Sequence, residues 1–396
     1  MDTISWGTDA NLIEDQFYDR KNEIALLKSI LKTTEDQLPS TTRITGVRGV
    51  GKTVLLKKIQ KELEEDYLIA YIDLSRIPAY QKGNLAEEEI IKNFYNAWIK
   101  SCQESNLTSI LEKINKILKT KNFKIKEIVN VNKIPIPLIE TKDNYNKLVD
   151  FVLDLPQSIY EKNSDKIKGC IFIIDEFHAL IDLGSRLDSF LWMFRSFIQE
   201  QKNVSYVFSG SLNSINTVVE KIAGNDGVFG GRILNIKLEP FSKDIVQSYL
   251  NEKVSQLKIT DMGFERFYEC TRGVPFYINI FARFLPKNVL LDEEDIKKEF
   301  KQILPFLALH FIQLWAGLNK TQQEILVSLI DKPLKRKDIA SKLNKQSGSL
   351  SLPLNELVTY DLIRSQNGLY IFSESILKNW LKNEFEEKGV FPFRSI

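Results

Sequence analysis

Gly46-Val47-Arg48-Gly49-Val50-Gly51-Lys52-Thr53 places three glycines ahead of a lysine and a hydroxyl in the spacing G-x-x-x-x-G-K-[ST]. A loop of this kind can wrap its backbone N–H groups around phosphates, because glycine accepts positive φ and lets the chain come close. The lysine then reaches the β and γ phosphates, and the threonine hydroxyl is a ligand for Mg²⁺. Val54 closes the candidate binding set at the start of the following helix. A second group with matching chemistry is Asp175-Glu176, where the apolar run Ile171-Phe172-Ile173-Ile174 ends in paired acids. Asp175 is the candidate to hold the metal with Thr53, and Glu176 the candidate to orient and deprotonate the attacking water. Ser209 follows a third apolar run, residues 204–208. It either senses the γ-phosphate or caps the helix expected after it. Guanine recognition would need Asn-Lys-x-Asp, and Asn132-Lys133-Ile134-Pro135 ends in proline. ATP with Mg²⁺ is the expected pair.

These groups need strands that stop where the chemistry starts. Residues 41–45 are β-prone, and Val54, Leu55, Ile59 and Leu63 give the next segment one apolar helical face. Residues 67–73 form another apolar strand ending in Asp73. The four large apolar residues before Asp175 suit a strand buried on both faces of a parallel sheet. The expected fold class is α/β: a P-loop NTPase core with a parallel sheet, helices on both faces and the ligand at the carboxyl ends of the strands. Residues 1–241 are assigned to this core, with an insertion at about 80–165 that holds helices at 86–101 and 108–120 and a hairpin at 125–139. Helical patterns at 242–257, 261–271, 275–285 and 292–304 make a lid domain, 242–304. Residues 305–396 read as a winged helix: helices at 322–330, 336–343 and 350–360, a hairpin across Gln366-Asn367-Gly368, and a terminal helix at 373–385. Thr321 and Glu324 have the spacing of a capping box for the first of these helices.

Three further segments, taken with the loop, resemble the STAND class of P-loop ATPases in its archaeal-type branch. Phe17-Tyr18-Asp19-Arg20-Lys21-Asn22-Glu23 resembles the family's N-terminal element, Phe229-Gly230-Gly231-Arg232 its Gly-Arg segment, and Gly273-Val274-Pro275 its G-x-P element in the helical lid. The resemblance spans about residues 15 to 385. It implies that Arg20 and Pro275 lie near the base and that Arg232 neutralises charge on the γ-phosphate. Each has a structural alternative. Arg20 can be a surface residue leading a helix, Arg232 one half of an ion pair, and Pro275 a proline at the favoured first helical position. His178 stands without an evident partner and reads as structural.

At 396 residues the chain is long for one hydrophobic core, so two or three domains are expected. The 54 basic and 52 acidic residues nearly cancel, which excludes a global field that would draw the chain to nucleic acid or a membrane surface. Three scattered cysteines make neither a disulfide framework nor a zinc site, and no run of residues suits a membrane span. A soluble, cytoplasmic protein is expected. Lys335, Arg336, Lys337, Lys342 and Lys345 could grip DNA phosphates without reading sequence. The stretch 347–363, which contains the third C-terminal helix at 350–360, carries no Lys or Arg, which favours a protein partner or self-association over base recognition. The reading is a slow ATP-hydrolysing switch of the STAND type. Its rivals are a DNA-binding initiator or loader similar to archaeal origin-recognition ATPases, and an ATP-dependent binding protein with negligible turnover.

Overall fold

The computed structural model describes residues 17–105, 125–131, 134–139, 142–211, 233–360 and 362–393. Helix α1 (Lys21–Lys32) precedes strand β1 (Thr41–Gly46), the glycine loop and helix α2 (Lys52–Leu63). Strand β2 (Leu68–Asp73) leads through a short 3₁₀ turn into α3 (Pro78–Gln81) and α4 (Glu87–Glu104). An antiparallel hairpin, β3 (Ile125–Val131) and β4 (Ile134–Ile139), comes before α5 (Lys142–Glu161). Strand β5 (Cys170–Asp175), a 3₁₀ segment (Phe177–Arg186), α6 (Leu187–Glu200), β6 (Val204–Ser211) and β7 (Leu234–Leu238) complete the first half. The five strands pair in parallel in the order β2-β5-β6-β1-β7.

Alternation along β5 explains why this sheet needs two covering layers. Cys170, Phe172 and Ile174 face a core built with α4, α5 and α6, whereas Ile171 and Ile173 face α1 and α2. All six residues of β5 are buried, and each large apolar side chain withdrawn from water contributes about 1.5–3 kcal/mol. Two helices of the expected insertion at 80–165 belong to this packing. Phe94 and Trp98 of α4 and Val152 and Ile159 of α5 are part of the sheet's own core, so both helices are covering layer. The expected hairpin is present as β3 and β4, while the helix expected at 108–120 lies outside the described residues.

The second half is helical. It comprises α7 (Lys243–Lys253), α8 (Asp261–Thr271), α9 (Pro275–Phe284), α10 (Glu293–Gly317), α11 (Lys320–Ser328), α12 (Arg336–Lys342), α13 (Ser351–Thr359) and α14 (Ser375–Lys388). Two-residue strands β8 (Lys258–Ile259) and β9 (Leu290–Leu291) pair in parallel, and β10 (Leu334–Lys335) joins β11 (Ile363–Gln366) and β12 (Leu369–Phe372) in the order β10-β12-β11. Asn367 and Gly368 both have positive φ, 52° and 74°, the backbone a two-residue turn between β11 and β12 requires. The boundary expected at 304/305 falls inside α10, which runs through Pro305 without ending. One continuous apolar cluster from Phe241 to Leu381 encloses both sides of that boundary. The cap of α11 also differs from expectation. Asn319 and Gln322 form the reciprocal box, with Gln322 N donating to Asn319 Oδ1 at 3.0 Å and Asn319 N to Gln322 Oε1 at 2.8 Å.

Where the two halves meet, Gly273 has φ +70°, and a Cβ there would lie 2.1 Å from the carbonyl oxygen of Phe241. Phe241 N also donates to the Gly273 carbonyl at 2.8 Å, so neither backbone can withdraw cheaply. Gly273→Ala is expected to cost about 3 kcal/mol, from left-handed strain plus overpacking. A lowered urea midpoint would show this, and an unchanged one would contradict the contact.

Candidate functional site

The parallel register brings the chemistry to one edge of the sheet. Asp73 of β2 pairs with Asp175 of β5, and Gly46 of β1 lies between Ser211 of β6 and Leu238 of β7. The loop between β1 and α2 turns on Gly49 and Gly51, with φ of 77° and 100°. A Cβ on Gly51 would meet nothing within 4 Å, so the glycine serves the backbone conformation and leaves open space beside the amide groups that begin α2. A helix beginning there presents unpaired N–H groups and the positive end of its dipole, which suits an anion.

Lys52, only 8% exposed, donates to the carbonyls of Gly46 at 2.9 Å and Val47 at 3.2 Å, which folds its ammonium along the loop. Asp175, 1% exposed, is the hub. Its Oδ2 accepts from Thr53 Oγ1 at 2.7 Å and Tyr71 OH at 2.8 Å, and its Oδ1 from Ser209 Oγ and the Glu176 N–H. The hard oxygens of Asp175 and Thr53 at this distance fit Mg²⁺, which is commonly held by one or two side chains together with substrate phosphates. Among the described residues no cluster of three or more His, Cys, Asp and Glu could hold a metal alone.

Glu176 adopts left-handed backbone, φ 51°, directly after the strand. Its Oε2 lies 3.1 Å from His178 Nδ1, at ion-pair distance but outside hydrogen-bond geometry, a neighbour the sequence context did not reveal. Burial pushes the Glu176 carboxyl up, but His178, Lys52 and Arg48 outweigh it and hold the group below its ordinary value. Tyr71 is shifted the other way: burial first, then the Asp175 charge, hold its phenol far above the usual range. Lys57, one turn beyond Thr53, lies over the Tyr71 ring with its nitrogen 3.4 Å from the centroid, and burial lowers its pKa.

Two candidates sit where the loop meets the helical half. Arg20 is 7% exposed and donates to the carbonyls of Glu239 at 2.7 Å and Val50 at 3.3 Å. It also pairs with Glu23 at 3.0 Å and lies over Phe241, so it ties the loop to the segment entering the helical half. Pro275 opens α9, and the next residue, Phe276, donates its N–H to the Gly49 carbonyl at 3.2 Å. Arg232 lies outside the described residues. Tyr71 and Lys57 were not singled out in the sequence. Their only signal is position, Tyr71 two residues before the end of a strand paired with β5 and Lys57 four residues after Thr53.

The basic residues of the C-terminal region are partly consumed internally. Lys345 Nζ contacts Glu324 at 2.7 Å and Thr321 at 2.6 Å, Lys342 Nζ donates to the Ser328 carbonyl, and Arg336 donates to Ser347 and Ser351. No helix among the described residues is long and apolar enough to cross a membrane.

Residues 17–281 match the family described as an ATPase domain predominantly from Archaea. Among solved structures, the chain is similar to the Walker-type ATPase of Pyrococcus abyssi, with 17% identity, 93% of this chain and 97% of that chain covered, and a TM-score of 0.64. It is also similar to the ORC2 protein of Aeropyrum pernix in its ADPNP-ADP complexes, with 12% identity, 97% and 99% covered, and a TM-score of 0.53. At these identities the likeness is one of fold. No curated protein sequence matches the chain.

Proposed function

The chain belongs to the family of ATPase domains found predominantly in Archaea, and on that premise we propose that it is an ATP-hydrolysing switch of the STAND type whose lid reports the state of the phosphate loop. The observation that supports this reading is the contact of Phe276 N with the Gly49 carbonyl, reinforced by Arg20 bridging Val50 and Glu239. A nucleotide that reshapes the loop must disturb these bonds. The displacement would not stop at the lid, because α10 and the shared apolar cluster make residues 241–381 move together. The helices α11, α12 and α13 with the β11–β12 hairpin have the order of a winged helix, and we assign them the role of output element.

In this reading Lys52 leaves the loop carbonyls for the β and γ phosphates, and the loop amides bind the phosphate oxygens. Mg²⁺, held by Thr53 and Asp175, would neutralise charge on the phosphates. Glu176 orients the attacking water, Ser209 restrains Asp175 and senses the γ-phosphate, and Arg232 stabilises its charge. Arg20 and Pro275 act on the loop and lid from the base side. The loader reading is less favoured, because Arg336, Lys342 and Lys345 are engaged within the C-terminal unit and α13 carries no basic residue.

Energy transfer between dyes on the exposed faces of α2 and α14 tests the switch. ATP with Mg²⁺ is expected to change the transfer efficiency and hydrolysis to restore it. Tight ATP binding with no change in efficiency would overturn the switch, and tight binding with no phosphate release would select a binding protein instead.

A further inference from the structure

Of the four donors to Asp175 described above, Tyr71 alone belongs to no nucleotide motif. It stands on β2 in register with Ile173, two residues short of Asp175 on the same face of the sheet, and its phenol spans that diagonal. The hydroxyl ends 2.8 Å from Asp175 Oδ2, the same oxygen that Thr53 Oγ1 meets at 2.7 Å. The ring is fixed from the other side by Lys57, whose nitrogen lies 3.4 Å from the ring centroid. Lys57 follows Thr53 by four residues, so one face of α2 carries both the hydroxyl that meets Asp175 and the cation that pins Tyr71. An apolar side chain would fill this place on the sheet equally well. A phenol there adds a donor with one acceptor, the carboxylate.

We propose that Tyr71 is a positioning residue for the metal-binding carboxylate: it sets the rotation of Asp175 so that the carboxylate and Thr53 together receive the divalent cation of the nucleotide. The inference rests on the Mg²⁺–ATP reading given above. Hydrogen-bond partners of a ligating carboxylate tune its affinity for the metal, and losing one costs about 10- to 100-fold.

Tyr71→Phe keeps the ring and its contact with Lys57 and removes only the donor. Mg²⁺ is titrated against wild type and variant at fixed fluorescent ATP analogue, and binding of the same analogue is measured in EDTA. The Mg²⁺ concentration for half-maximal binding is expected to rise about 10-fold or more in Tyr71→Phe. Binding in EDTA and the thermal midpoint without nucleotide should match wild type. A Mg²⁺ midpoint within twofold of wild type, or an equal loss of binding in EDTA, overturns the proposal for Tyr71 while leaving the nucleotide site standing. Failure of wild type to bind the analogue, or binding indifferent to Mg²⁺, overturns both.

Discussion

Lys52→Ala is expected to weaken ATP binding about 10- to 150-fold while leaving the fold intact. The magnitude follows from the hydrogen bonds at stake. A bond to a charged group contributes about 1.5–3 kcal/mol, and each 1.4 kcal/mol is tenfold in affinity. Without ligand, Lys52 spends its donors on the Gly46 and Val47 carbonyls, at 2.9 and 3.2 Å. Val47 is 42% exposed, so the loop keeps access to water on that side, whereas the Gly46 carbonyl belongs to a buried residue and loses a donor with the lysine. Loss of the side chain therefore removes the phosphate contact and leaves one loop carbonyl short of a donor. Equilibrium titration with a fluorescent ATP analogue measures the effect, with circular dichroism to confirm that the sheet persists. Wild-type affinity in Lys52→Ala would remove the basis for a phosphate site here.

The phosphate loop and the strand before Asp175 were legible because their chemistry is local. Backbone that wraps phosphates needs closely spaced glycines, and a strand buried on both faces needs contiguous apolar residues. Relations between distant segments were not legible in the same way. Arg20 points at the carbonyls of Val50 and Glu239 because Asp19 and Arg20 both take positive φ, 59° and 69°, a conformation that residue type does not announce. The boundary expected at 304/305 falls beside Pro305, yet α10 carries it, because the residues around it are held on both sides by one core. Asn319-x-x-Gln322 and Thr321-x-x-Glu324 are overlapping matches to one capping pattern. The structure uses the first, in which Ile325, Leu326 and Leu329 turn inward, and Thr321 and Glu324 bind Lys345 instead. The spacing between β2 and Asp175 suggested one long insertion, although α4 and α5 within it complete the sheet's core. Tyr71 carried no motif, since a tyrosine on a strand is ordinary and only the register of β2 with β5 brings it to Asp175.

Replacing Glu176 with glutamine should separate binding from turnover. The two side chains have nearly the same shape, so ATP affinity is expected to stay within about threefold, while phosphate release falls about 100-fold or more, the range of a positioned acid–base group. The structure refines what that group does. Burial alone would raise the Glu176 pKa and make it a stronger base, but His178, Lys52 and Arg48 together bring it below its ordinary value. A carboxylate of lowered pKa is a weaker proton acceptor and a persistent anion, better suited to orienting water through an accepted hydrogen bond than to removing its proton outright. The sign of the pH dependence follows. As pH falls from neutral, Glu176 keeps its charge past the point where an ordinary carboxylate would lose it, so its contribution to the rate persists and is lost only below the ordinary carboxylate range. Single-turnover phosphate release across pH tests both statements. Turnover of Glu176→Gln within threefold of wild type would exclude the water-orienting role. A wild-type acid limb centred above the ordinary carboxylate range that disappears in the glutamine variant would mean instead that burial prevails at Glu176 once the nucleotide is bound. In that case Lys52, drawn away to the phosphates, is the cation whose departure released it.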